Sequence, residues 1–167
     1  MRDPEPIVGP AQMRAWTAFL TAHSRIIRGL DRELRELGGA TLSEYDVMVQ
    51  LSSAPEGGMR MGELARSVLV TESGLTRLVD RFVQRGWATR TPSPDDRRML
   101  FCQLTTEGRD ELERLRPIHH AGIDRMFAGA LDEESAAQLE RLLASLPACG
   151  GAVPDGNGDC PDGSEPR

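Results

Sequence analysis

The sequence predicts a mainly α-helical protein that carries one small β-hairpin, and three observations predict it. Apolar side chains recur at alternating three- and four-residue steps over long stretches toward both ends, the period of an amphipathic helix. Leu, Ala, Arg and Glu are abundant while aromatic residues make up 4% of the chain, which favours helix around an aliphatic core. One region, Trp87 to Leu104, departs from the helical period with two strand-like runs around a turn rich in Pro and Asp.

The elements follow in order. Within residues 11–37, Met13, Trp16, Leu20, His23, Ile27, Leu30, Leu34 and Leu37 form a heptad-like seam, which Phe19 and Ile26 widen. A helix of this length needs more partner surface than one small lobe offers, and Gly38-Gly39 stops it. Ser43, with Asp46 three residues on, has the form of a capping box opening a second, short helix that bears Tyr45, Met48, Val49 and Leu51. Past the loop SSAPEGG, Met61, Leu64, Ala65 and Val68 share one face of a third helix. Thr71 caps a fourth, TESGLTRLVDRFVQRG, whose Leu75, Leu78, Val79 and Phe82 fall opposite Ser73, Thr76, Arg77, Asp80, Arg81 and Gln84. Gly86 suits the left-handed position that ends a helix. Strands over Trp87–Thr91 and Met99–Leu104 then flank PSPDDRR. Thr105 leads into a helix running to about Phe127, with Leu112, Leu115, His119, Gly122 and Met126 on a seam. Asp132 begins a last helix bearing Leu139, Leu142, Leu143 and Leu146. From Pro147 onward Gly, Pro and Asp dominate with almost nothing to bury, so residues 147–167 are expected to be a disordered tail.

At 167 residues the chain has the length of one ordinary domain. Its net charge of −6 argues against nucleic acid only as a total. Between Met59 and Arg109 nine arginines stand against six acids, a local balance of +3 that leaves −9 for the remainder. Charge within a Debye length of ~8–10 Å dominates a contact, so a basic lobe in an acidic chain keeps the footprint that phosphates attract. Cys102, Cys149 and Cys160 form no CxxC pair and have no histidine at ligand spacing, which argues against a metal site. The opening MRDPEPIVGP lacks the form of a signal peptide, and no apolar run approaches the ~18 residues of a membrane span. A reduced, cytoplasmic compartment is expected. With no nucleophile beside a base, no phosphate-cradling glycine loop and no paired carboxylates, neither an enzyme nor a cofactor is expected.

Two short helices joined by a tight turn and followed by a hairpin make a winged helix-turn-helix, whose second helix enters the DNA major groove. Ser73 and Thr76 offer hydroxyls to phosphate, Arg77 a guanidinium able to make a bidentate contact to guanine, and Gly74 a close backbone approach. The hairpin tip brings an arginine to the adjacent minor groove. The residues expected at DNA are Thr71, Ser73, Gly74, Thr76, Arg77, Arg81, Arg97 and Arg98.

The stretch ESGLTRLVDRFVQRGWATRTPSPDDRRMLFCQLTTEG resembles the helix, wing and exit strand of the MarR family, the multiple-antibiotic-resistance type of transcription regulator. The family's wing signature, an Asp, a spacer, an Arg and an apolar strand ending Leu-Thr, is met by Asp96, Arg98, Leu104 and Thr105. The resemblance covers about residues 11–146 and implies dimerisation helices over 11–38 and 106–146 around a DNA-binding lobe over 59–105. It further implies a homodimeric, ligand-responsive repressor that binds near-palindromic operators in double-stranded DNA. A small phenolic effector would bind in a pocket lined by Trp16, His23 and Tyr45. An ion pair of Asp80 with Arg98, also implied by the family, leaves Arg97 to face the groove. Met99 departs from the pattern, since a small residue is common there.

Plainer readings stand beside these. Alone, DDRR is a solvated hairpin tip whose charges cancel; the neighbouring helix-turn-helix turns it toward DNA. Cys102 alternates with Leu100 and Leu104 and reads as core rather than as a redox sensor, while Cys149 and Cys160 have no fixed base or cation beside them. His23 reads as a partly buried seam residue, and His119 and His120 project to different sides of one helix. The competing function is a winged-helix protein-interaction module without DNA binding, against which the basic stretch from Arg60 to Arg98 weighs.

Overall fold

The computed structural model describes residues 8–55, 58–68, 71–92 and 100–146. The expected tail over 147–167 and the hairpin tip over 93–99 lie outside the described residues. The chain divides into two compact units, residues 1–42 with 114–138 and residues 43–113 with 139–167.

The first unit is built on α1 (Pro10–Glu33), which opens with Pro10 in the first turn, where a missing N–H leaves no bond unmade. The chain then widens into a π-helical turn, Leu34–Gly38, and Gly39 ends it at φ 68°. From Arg114 onward α5 (Thr106–Met126) runs antiparallel along the C-terminal half of α1. Small residues make that approach possible: a Cβ on Gly29 would enter Met126, one on Gly122 would enter Leu30, and one on Gly38 would enter Leu115. Leu30, Leu34, Ala40, Leu42 and Leu115 are buried here. Arg125 pairs with Glu33, and Arg114 Nη2 donates to the Gly38 carbonyl at 2.6 Å.

The seam of α5 is therefore satisfied within its own chain. The outer seam of α1 is not. Met13, Trp16, Phe19, Leu20 and Ile27 are all exposed, as are Leu142 and Leu143 of α6 (Glu133–Ala144) and Leu146 just beyond it. Asp132 caps this last helix by accepting the Ser135 N–H at 2.8 Å.

The second helix, α2 (Leu42–Ser52), starts one residue before the expected cap, so Ser43 stands inside it and no Ser43–Asp46 capping box forms. Asp31 performs the capping from α1, accepting the Leu42 N–H at 3.0 Å and the Arg35 Nε–H at 2.7 Å. Burial works against its ionised form, but these two donors outweigh it and hold the Asp31 carboxyl below the usual aspartate range.

In the second unit, α3 (Met61–Ser67) and α4 (Glu72–Gln84) follow α2 and pack on a three-stranded antiparallel sheet. The strands are β1 (Met59–Arg60), β2 (Ala88–Pro92) and β3 (Leu100–Leu104), in the order β1-β3-β2. The hairpin was expected from the sequence; β1 was not, because two residues carry no period. It pairs Met59 with Cys102 and Arg60 with Phe101, while β2 sets Ala88 opposite Leu104 and Arg90 opposite Cys102. Leu51, Leu64, Leu75, Val79, Phe82, Cys102 and Leu112 are almost wholly buried and form the core of this unit.

Between α4 and α5 the backbone is tightly tied. Gly86 turns the chain at φ 74°, and the Trp87 N–H donates to the Phe82 carbonyl at 2.8 Å. Thr105 Oγ1 donates to the Gly86 carbonyl at 2.6 Å and accepts the Gly108 N–H at 3.0 Å. A Cβ on Gly108 would drive into the Trp87 carbonyl, a backbone atom that cannot swing away. Gly108→Ala should therefore destabilise the fold by about 1–3 kcal/mol, read from the chemical-denaturation midpoint. Gly62, exposed in α3 with only the end of the Arg66 side chain nearby, is the control. Its replacement by Ala should be neutral or stabilising by up to about 1 kcal/mol.

Candidate nucleic-acid interface

The candidate surface is the outward side of α4. Thr71 caps the helix, its Oγ1 accepting the Gly74 N–H at 3.2 Å and lying 3.4 Å from Ser73 Oγ. Leu75, Leu78, Val79 and Phe82 are buried, whereas Ser73, Thr76, Arg77, Arg81 and Gln84 are exposed, the division expected from the period. Thr71, Ser73, Thr76 and Arg77 thus share the first two turns of one exposed helix. Gly74, half-exposed between them, leaves that turn of backbone without a side chain. Arg77 forms no ion pair among the described residues.

Two acids take up other arginines of this region. Asp80 on α4 pairs with Arg90 of β2, whose Nη2 also donates to the Thr76 carbonyl at 3.1 Å. One guanidinium therefore ties the helix to the strand at two points. Asp80 is about half-exposed, so the pair is worth about 0–1 kcal/mol and serves chiefly to orient the hairpin. On α2, Glu44 is buried and its Oε1 lies 3.3 Å from Arg81 Nη2 and 3.9 Å from Arg85 Nη1. Arg85 also lies over the Trp87 ring, 4.7 Å from its centroid, and Trp87 meets Phe82 edge-on at 5.8 Å. At the other sheet edge Arg60 lies 5.7 Å from the Phe101 ring centroid.

The expected Asp80–Arg98 pair and the groove-facing Arg97 fall in the hairpin tip, outside the described residues. Arg81, expected at DNA, is half-exposed and pairs with Glu44. Sequence reasoning missed Arg90 and Glu44. The alternation of β2 held a signal for the first: Ala88 and Arg90 share a face, and an arginine beside a buried alanine needs an acid. Glu44 had no comparable signal, because an acid in a short helix ordinarily faces water.

Of the expected pocket residues, Trp16 and His23 are exposed on α1, where the Phe19 ring stacks between them with centroids 6.2 Å from each. His23 is therefore not the partly buried residue expected. Tyr45 is buried at 3% exposure in the second unit. Cys102 is fully buried in β3, as expected for core. Burial pushes its thiol up to about 11, with Arg90 and the Gln103 N–H pulling weakly the other way. No group of three or more His, Cys, Asp and Glu among the described residues could hold a metal ion.

A two-faced helix after a short helix and a tight turn, backed by a three-stranded sheet whose last two strands form a hairpin, defines a winged helix-turn-helix protein. Known proteins bear out that class. The sequence profile described as MarR family matches residues 39–99. The transcriptional repressor MprA of Escherichia coli is 27% identical over 124 residues, 74% of this chain and 69% of that protein. Sco3205 of Streptomyces coelicolor, a MarR family transcriptional regulator solved in complex with DNA, superposes with a TM-score of 0.75 at 28% identity over 82% of this chain and 89% of its own. A MarR variant from Escherichia coli complexed with operator DNA reaches 0.67 at 26% identity over 78% and 92%. The chain is thus similar to MarR family proteins over its central lobe and over most of its fold, which supports a MarR-type transcriptional regulator.

Two outcomes follow from this geometry. A thiol whose folded value lies above its unfolded one contributes stability below the unfolded value, about pH 9, and loses it as the pH climbs through about 11. At pH 8 iodoacetamide should leave Cys102 unmodified in the folded protein and alkylate it in denaturant, as mass spectrometry of the peptide Met99–Arg109 would report; rapid native labelling would contradict the buried placement. Arg90→Ala should lower operator affinity several-fold with a loss of at most about 1 kcal/mol in stability, because it frees the hairpin from α4 and leaves the apolar core untouched. Parallel DNA titrations and thermal melts would separate the two effects.

Proposed function

We propose that this protein is a homodimeric repressor that reads operator DNA, with α4 in the major groove and the hairpin at the adjacent minor groove. The outward side of α4 carries the reading: Ser73 and Thr76 present hydroxyls to phosphate, and Arg77 reaches a guanine edge from a turn whose opposite side is fixed by buried leucines. The DNA complexes of Sco3205 and of the MarR variant support it. In this reading Arg97 supplies the minor-groove contact, and Arg98 pairs with Asp80.

The exposed apolar seams of α1 and α6 are the surface for a second copy. On α1 the exposed Trp16, Phe19 and Leu20 stand at helical spacing on one side rather than scattered singly as on an ordinary monomer surface. Two-fold symmetry then sets two half-sites about 10 bp, or ~34 Å, apart. A small phenolic effector would act by binding the DNA-competent and incompetent arrangements with different affinity, since a ligand shifts an equilibrium only by that difference. Cytoplasmic residence and the absence of catalysis complete the proposal; among the described residues no helix is long and apolar enough to cross a membrane.

Footprinting on the DNA upstream of its own coding region, with and without phenolic carboxylates, tests the whole reading. Affinity should fall steeply with salt, and a salt-insensitive affinity would count against it. Arg77→Ala should relax preference at one base pair per half-site at a cost of ~1–3 kcal/mol, whereas Arg97→Ala should weaken binding to all duplexes alike. Parent-like binding by both variants would sink the site assignment.

A further inference from the structure

Arg77 and Arg81 on α4 and Arg85 at its C-cap follow one another at four-residue steps, so three arginines stand about one turn apart along one side. An uninterrupted stripe of this kind would repel itself and would grip phosphate anywhere on a duplex. Glu44 interrupts it. At 4% exposure it is the buried charged side chain among the described residues, and its Oε1 lies within salt-bridge reach of both Arg81 and Arg85. Arg81 and Arg85 keep 48% and 44% of their side-chain surface in solvent, so neither is buried out of reach of a ligand; it is Glu44 that engages their charge. Arg85 is further held against the Trp87 ring.

We propose that Glu44 is a positioning residue for DNA readout, which withholds the charges of Arg81 and Arg85 from phosphate and leaves Arg77 as the free cation of the stripe. This inference rests on the DNA-binding reading of α4. A carboxylate with little access to water interacts strongly with a nearby cation, since the screening that weakens surface pairs is reduced. With two of three cations engaged, the remaining contacts from α4 depend on base edges and hydroxyls, which discriminate among sequences. Releasing them adds phosphate contacts, which do not. Glu44 thus trades affinity for any duplex against selectivity for one.

Glu44→Gln keeps the shape of the side chain and one acceptor oxygen while removing its charge. The experiment measures the affinity of the full-length protein for the footprinted operator and for a scrambled duplex across a salt series. Glu44→Gln should steepen the slope of log K against log salt on the scrambled duplex by about 1–2, the value expected for one or two added phosphate contacts. Scrambled-duplex affinity should rise about tenfold in low salt, and the ratio of specific to nonspecific affinity should fall several-fold. A purely structural role would weaken binding to both duplexes with the slope and the ratio unchanged, and that result overturns the proposal.

Arg85→Gln, which leaves Glu44 paired with Arg81, decides the matter even if Glu44→Gln fails to fold. Its slope should match the parent's, and a slope shallower by about 1 would show Arg85 already on phosphate and overturn the assignment. A parent protein that shows no preference for any upstream DNA would instead overturn the DNA-binding reading itself, an outcome distinct from parent-like selectivity in Glu44→Gln.

Discussion

The rotational phase of α4 is the constraint on which the rest of the second unit depends. Leu75, Leu78, Val79 and Phe82 bury one side of a helix only 13 residues long. Each such side chain contributes about 1.5–3 kcal/mol when fully buried. On the other side the Asp80–Arg90 pair is partly exposed and contributes ~0–1 kcal/mol. Packing therefore decides which side chains meet solvent, and the charges decide only what that surface offers. The phase also carries forward: Phe82 meets Trp87 edge-on, the Trp87 N–H closes on the Phe82 carbonyl, and Thr105 ties Gly86 to the start of α5. The hairpin thus leaves the helix from a fixed direction, and Arg90 then fastens it back at Asp80 and at the Thr76 carbonyl.

Much of this was legible in the sequence, for reasons that are local. The period of α4, the Thr71 cap and the left-handed Gly86 are each written within a few residues, and all three stand where expected. What escaped depends on residues distant along the chain. β1 exists because Met59 and Arg60 find β3 more than 40 positions later. The start of α2 is fixed by Asp31 on another helix, which displaces the local signal at Ser43. Glu44 looks like any solvated acid until α4 lies across it, and its arginine is 37 positions away. The family resemblance supplied the wing signature and named Arg98, outside the described residues, as a partner of Asp80; it gave no sign of Arg90, which the structure places on the same carboxylate.

The two helical seams show the same limit in another form. Heptad-like spacing marks α1 and α5 alike, so both resemble surfaces awaiting a partner chain. In the structure, Gly29, Gly38 and Gly122 let α5 close against the C-terminal half of α1, which uses up one seam within the chain. Periodicity shows that a face must be covered and says nothing about what covers it. The small residues were the discriminating signal, because they permit a backbone approach that larger side chains on the outer part of α1 forbid. That outer part, with Trp16, Phe19 and Leu20, remains uncovered.

An acidic protein that reads DNA needs its charge placed rather than summed. Screening confines each charge to about 8–10 Å, so the surplus of +3 between Met59 and Arg109 governs contact there whatever the −9 carried elsewhere along the sequence. Within the basic segment the same economy recurs on a smaller scale. Asp80 occupies Arg90 and Glu44 occupies Arg81 and Arg85, so acids are set against most of the arginines near α4. A net charge of −6 is then no obstacle to phosphate binding, because the total does not record where a single guanidinium such as that of Arg77, unpaired among the described residues, is placed. Affinity for DNA in general is kept low by the same arrangement that leaves Arg77 outward, and selectivity follows from which cations are withheld as much as from which are shown.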